Sequence, residues 1–109
     1  MKKHLLQEMS WVEAKDYFAK NDIVILPVGS TEQHGPQNPL GTDHIVAASL
    51  ASEVARRTGV ITLPVIPYGM SLHHMGFPGT IAVESEVFAS YVFSVVKSLN
   101  RWGSNLWLY

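Results

Sequence analysis

Two uninterrupted apolar runs, Ile23-Val-Ile-Leu-Pro-Val28 and Val60-Ile-Thr-Leu-Pro-Val-Ile66, constrain the fold more than any other feature of the sequence. Neither alternates polar with apolar residues. That is the pattern of strands covered on both faces, as in a parallel sheet, rather than strands with one wet face. Pro27 has no N–H to give a ladder, so it belongs near the end of its strand. Each run opens into a loop rich in Gly and Pro, residues 29–41 after the first and 67–80 after the second.

The segments around these runs read as helices. Ser10 and Glu13 have the spacing of a capping box, which predicts a short helix to about Lys20 with Trp11, Ala14 and Phe18 on its apolar side. Asn21-Asp22 ends it. Thr42 to about Thr58 forms a second helix, with Val46, Leu50 and Val54 as an i, i+4 stripe, Ala47, Ala51 and Ala55 beside it, and Gly59 as its C-terminal stop. Glu84, Ser85 and Glu86 place negative charge at the start of a third helix, whose apolar face is Phe88, Tyr91, Val92, Val95 and Leu99. Ser104–Tyr109 reads as the start of a third strand. Strands alternating with helices predict an α/β layer fold with right-handed crossovers. Ligand sites in such folds lie beyond the carboxyl ends of the strands, so the two long loops should meet on one side.

A chain of 109 residues forms one domain at most. A formal net charge of −1 gives no electrostatic reason to expect nucleic acid or an anionic membrane as partner. The lack of cysteine excludes disulfides, thiolate ligands and a cysteine nucleophile, so a transition metal must be held by His, Asp or Glu. No signal peptide or membrane span is legible, which makes the cytoplasm the default location.

Chemistry concentrates in the loops. Glu32 and His34 are two residues apart, a spacing that turns both side chains the same way in extended chain. With Asp43 they make an oxygen and nitrogen donor set suited to zinc or manganese. Two ions close together would polarise an amide carbonyl and activate a water. The plainer readings are that Asp43 or Thr42 merely caps the helix and that Glu32 and His34 are loop surface. In the second loop, His73 and His74 cannot both enter one pocket if the segment is extended. His74 is taken as lining the substrate side, with a structural hydrogen-bonding role as the alternative. Tyr68 either lines the pocket or packs with its hydroxyl satisfied. His44 reads as surface, His4 carries no signal, and Glu84 with Glu86 mark a helix start.

The segment Ile25-Leu-Pro-Val-Gly-Ser-Thr-Glu-Gln-His-Gly-Pro36, followed by Pro39-Leu-Gly-Thr-Asp43, closely resembles the signature of the creatininase (creatinine amidohydrolase) family. Pro64–Thr80, with a His shortly before Phe77-Pro-Gly-Thr80, is similar to a second block of that family. The resemblance implies a three-layer α/β/α fold with a mainly parallel sheet. It also implies a centre of two divalent ions (zinc or manganese, with iron as a further option), hydrolysis of a C–N bond in a small cyclic or linear amide, and a homo-oligomer, often a hexamer. Carried over by position, Glu32 binds one ion, His34 the other, and Asp43 bridges them. His74 takes the family's place in the second block and is a distant candidate for the acid that protonates the leaving nitrogen.

Members of that family continue beyond this length, with an Asn-Gly-His-Gly-Gly-Asn-like loop whose His is a ligand and a later Glu that completes the second ion's shell. Residues 1–109 therefore read as a single, incomplete domain, cut after about three strands. Two functional classes follow: a metal-dependent amidohydrolase, or an inactive fragment or assembly module that keeps part of the metal site. Nucleotide binding ranks below both, because no G-x-G-x-x-G or G-x-x-x-x-G-K-[ST] follows either strand.

Overall fold

Pairing between the two apolar runs organises the chain, of which the computed structural model describes residues 2–102. The Ile25 N–H donates to the Ile61 carbonyl and the Leu63 N–H to the Ile25 carbonyl, both at 2.9 Å. Further along, the Ile66 N–H reaches Pro27 at 3.0 Å and the Gly29 N–H reaches Ile66 at 2.8 Å. The segments are parallel, as expected, but their pairing is interrupted. Ile25 pairs with Thr62 and Val28 with Ile66, so the second segment uses four steps where the first uses three. One extra residue between Thr62 and Ile66 is a bulge, and it falls where Pro64 has no N–H to contribute.

A third segment joins this pairing unannounced by any sequence pattern. Thr62 donates its N–H to His4 at 3.0 Å and accepts from Leu6 at 2.9 Å, forming a parallel bridge with Leu5. The 60–66 segment is thus flanked on both edges. His4, which had no role in the sequence reading, lies 3.2 Å from the Ser52 hydroxyl through its Nε2. The predicted strand Ser104–Tyr109 lies outside the described residues.

Helix α1 (Trp11–Lys20) begins with the expected capping box, formed in both directions between Ser10 and Glu13. Its buried face differs from the expected one. Trp11 is 76% exposed, whereas Tyr17 is only 5% exposed. Tyr17 wins because its hydroxyl is satisfied inside: it donates to the Ile23 carbonyl at 2.5 Å and accepts from the Ile61 N–H at 3.2 Å. Burial pushes the phenol pKa above its ordinary value. One side chain thereby ties the helix to both apolar runs.

Helix α2 (Thr42–Thr58) has the predicted bounds and closes at Gly59, whose φ of 79° is left-handed. Its orientation corrects the sequence reading. The large stripe Val46, Leu50 and Val54 faces outward, and the helix packs through Ala51 and Ala55, the latter fully buried. Close approach decides this. The α2 backbone at His44 sits so near Gly29 that a Cβ there would lie 2.5 Å from the His44 Cα. Only a face of small side chains allows a helix so near a strand end.

Helix α3 (Ser85–Asn100) turns Phe88, Val92, Val95 and Leu99 inward as expected, while Tyr91 is exposed. Helices and parallel-paired segments thus alternate along the chain in α/β order. No helix among the described residues is long and apolar enough to cross a membrane.

Candidate metal centre

The two loops meet where the sequence placed them. The Thr31 hydroxyl donates to the Pro67 carbonyl at 2.8 Å, and the Ile81 N–H donates to Thr31 at 3.0 Å. Those contacts lock the root of the first loop to both ends of the second. Glu32 is held further by its own N–H, which donates to the Leu40 carbonyl at 3.0 Å and closes the first loop on itself.

Glu32, His34 and Asp43 converge. Each offers a ligand atom within 4.8 Å of the others. His34 Nε2 is 3.2 Å from Asp43 Oδ2. Asp43 does not cap α2, since the N-cap position is Gly41 and carries no side-chain cap bond. Its carboxylate leaves the first turn of the helix for the cluster instead.

Ser30 is the member that sequence reading missed. It is 8% exposed, and its Oγ lies 2.6 Å from Glu32 Oε1 and 2.7 Å from Asp43 Oδ2. The signal was available, because Ser30, Glu32 and His34 follow the same i, i+2 alternation. A hydroxyl has one hydrogen to donate. Two carboxylate oxygens at such distances therefore share one proton between them. The Ser30 hydroxyl holds the Asp43 carboxyl below the ordinary carboxylate range; partial burial opposes this, and a hydrogen bond with Glu32 and the charge of His34 reinforce it.

His74 joins from the second loop, its Nε2 lying 2.8 Å from Glu32 Oε2 and its Nδ1 3.0 Å from Gln33 Nε2. The segment is not extended. Leu72–His74 forms a 3-10 turn, which supplies the bend that lets both histidines reach the same side. The His73 and His74 rings lie with centroids 4.1 Å apart, tilted at 47° to each other, and with Glu32 they form a second group of donors within 4.8 Å of one another. Tyr68 is 44% exposed, and among the described residues no hydrogen bond joins its hydroxyl to the cluster.

The donor set suits a hard or borderline divalent cation: carboxylate oxygens, imidazole nitrogen and no sulfur. Turning two carboxylates toward one hydroxyl is unfavourable for the anions alone and favourable around a positive ion.

Comparison with known proteins identifies the family of the chain. The family model described as creatininase, creatinine amidohydrolase, matches residues 7–108. A 3-dehydro-scyllo-inosose hydrolase from Thermotoga maritima is 40% identical over 91 residues, covering 83% of this chain and 29% of that protein. A mycofactocin precursor peptide peptidase from Mycolicibacterium smegmatis is 37% identical over 90 residues, covering 77% of this chain and 36% of the relative. A solved creatinine amidohydrolase superposes with a TM-score of 0.88 at 29% identity, over 97% of this chain and 44% of its own. A manganese form of creatininase superposes at 0.87 with 28% identity, over 96% and 44% of the two chains. A mutant creatininase of Zn-Zn type does so at 0.84 with 29% identity, over 94% and 42%. The chain thus spans less than half the length of each protein it matches.

Proposed function

The chain belongs to the creatininase family, and from that membership we propose that it carries part of a divalent-metal amidohydrolase centre held by Glu32, His34 and Asp43. Zinc and manganese are the ions favoured by the donor set, with iron a further option. The reaction is hydrolysis of a C–N bond in a small cyclic or linear amide. The complete site would hold two ions, with Asp43 among the residues that hold them. Such ions, when bound, supply Lewis-acid polarisation of the amide carbonyl and activation of water.

The protein's own residues do the rest. Glu32 and Asp43 would neutralise the cations, His34 would add a nitrogen donor, and Ser30 keeps the two carboxylates facing each other. Tyr68, leaving the end of the second paired segment, is placed on the substrate side. His74 enters through Glu32, with whose carboxylate it is already paired; service as the acid toward a leaving nitrogen requires it to leave that partner.

The same reading takes residues 1–109 as one domain of three-layer α/β/α architecture with a mainly parallel sheet, acting in the cytoplasm as a homo-oligomer. The parallel bridges support the parallel sheet, and the outward aliphatic stripe of α2 supports the oligomer.

One observation carries the proposal: a single Ser30 hydroxyl between Glu32 and Asp43, at 2.6 and 2.7 Å, with His34 on the same Asp43 oxygen. The test is metal analysis of the full chain after loading with Zn²⁺ or Mn²⁺ and gel filtration. Retention of the ion by the native chain and its loss in Glu32→Gln and Asp43→Asn are expected. Less than about a tenth of an equivalent in the native chain would sink the metal reading. Amide hydrolysis by the loaded protein is scored separately. Activity that survives Glu32→Ala does not belong to this centre.

A further inference from the structure

We propose that Gln33 fixes the tautomer of His74 and, through it, the carboxylate of Glu32, so that Gln33 is a positioning residue of the centre. The inference rests on the metal reading above for its purpose, but its geometry stands without an ion.

The argument runs from one backbone group outward. The Gly35 N–H lies 2.9 Å from Gln33 Oε1. A backbone N–H only donates, so the oxygen end of the amide faces Gly35. The other end of the same amide is Nε2, which faces His74 Nδ1 at 3.0 Å. An amide NH₂ only donates, so Nδ1 must accept and carries no hydrogen. A neutral imidazole with a bare Nδ1 bears its hydrogen on Nε2, and that atom is 2.8 Å from Glu32 Oε2. Every donor in the chain Gly35, Gln33, His74, Glu32 meets an acceptor, in one direction only.

Glu32 is thereby held at both oxygens, Oε2 by His74 and Oε1 by the Ser30 hydroxyl. Its remaining lone pairs are left for a cation. Gly35 is fitted to its part by its backbone, whose φ of 80° is one that side chains rarely adopt. The four consecutive residues Glu32 to Gly35 thus divide by parity. Glu32 and His34 face the cation position, while Gln33 and Gly35 orient the histidine that steadies Glu32. Partners behind a metal ligand commonly work this way.

The competing arrangement is ligation by His73 and His74 with Glu32, whose donors also lie within 4.8 Å of one another. It requires His74 to drop the Nε2 hydrogen. The two arrangements therefore differ in a measurable proton.

The experiment is ¹⁵N NMR of the His74 ring in the metal-free full chain, paired with Zn²⁺ affinity from chelator competition. The Nε2–H tautomer is expected in the native protein. Gln33→Glu, nearly isosteric, presents an acceptor to Nδ1 and should put a hydrogen on that nitrogen, with Zn²⁺ binding weakened about 10- to 100-fold. His74→Ala should weaken it comparably, and His74→Gln, which keeps an N–H donor for Glu32, should recover most of the loss. An Nδ1–H tautomer in the native chain, or an unchanged tautomer in Gln33→Glu, overturns the inference. So does equal loss of Zn²⁺ in His74→Gln and His74→Ala, which would make His74 a ligand. Because the tautomer is read without metal, failure of the chain to bind Zn²⁺ would refute the metal reading while the NMR result still decides this one.

Discussion

The loops at 29–41 and 67–80 leave neighbouring parallel segments at the same end, each shortly after a proline. The first carries Glu32 and leads straight to Asp43, whereas the second has no acidic residue and two histidines. Their mechanics differ as well. The first is packed hard against the α2 backbone, with Gly29 pressed to His44, while in the second Gly79 abuts only the flexible Leu40 side chain and Gly76 has open space around it. On the proposed reading, the comparison separates two requirements of one site: one loop concentrates carboxylates for a cation, and the other supplies imidazole donors that hold them in place. A rigid loop suits the first task because anions turned toward each other must be kept from springing apart.

The largest expected effects lie in the acidic loop and its helix. Asp43→Asn should weaken Zn²⁺ binding about 100-fold or more, beyond the usual loss for a partner behind a ligand. The same loss in His73→Ala would collapse the distinction between the loops.

Next comes packing. Gly29→Ala forces a Cβ to within 2.5 Å of the His44 Cα and should cost about 1–3 kcal/mol in urea unfolding. Gly76→Ala, with nothing within 4 Å, should change stability by less than about 0.5 kcal/mol. Equal effects at the two glycines would show that both loops are packed alike.

The tie between the loops is smaller still. Thr31→Val removes the donor to the Pro67 carbonyl, 2.8 Å away, and should cost about 1 kcal/mol. Faster hydrogen exchange at the Ile81 amide should accompany it, and unchanged exchange would mean that the loops are joined elsewhere.

The smallest effect is a control outside both loops. Arg56, and then Arg57, pull Glu53 down from 4.5 to about 2. A depressed carboxylate stabilises the folded chain above its unfolded value and loses that contribution as pH falls through the folded one. The stability gap between the native chain and Glu53→Gln should therefore be full above pH 4.5 and close by about pH 2, with Zn²⁺ affinity at neutral pH untouched. The pair is exposed, so the gap is small. A gap that does not vary with pH would remove the ion pair as its cause.

Much of this was legible in the sequence, for identifiable reasons. The bounds of α2 follow from Thr42 and Gly59, and the union of Glu32, His34 and Asp43 follows from i, i+2 spacing next to a helix start. The rest depends on contacts that one segment cannot announce. Hydrophobicity favoured Val46, Leu50 and Val54 as the buried stripe, but close approach at Gly29 handed that place to alanines. Trp11 outranks Tyr17 in apolar area, yet only Tyr17 finds partners for its hydroxyl. The reach of His73 and His74 depends on a 3-10 turn that no periodicity marks. The pairing of Leu5 with Thr62 is too short to leave a pattern. Gln33 gains its role only through His74, forty-one residues on.

The alanine face of α2 has one further consequence. Ala55 lies twelve residues after Asp43, roughly 18 Å along a helix. A bulky side chain at Ala51 or Ala55 would push the whole helix off its packed face and carry the Asp43 carboxylate away from Ser30. The alanines act as a spacer gauge for a carboxylate they never touch.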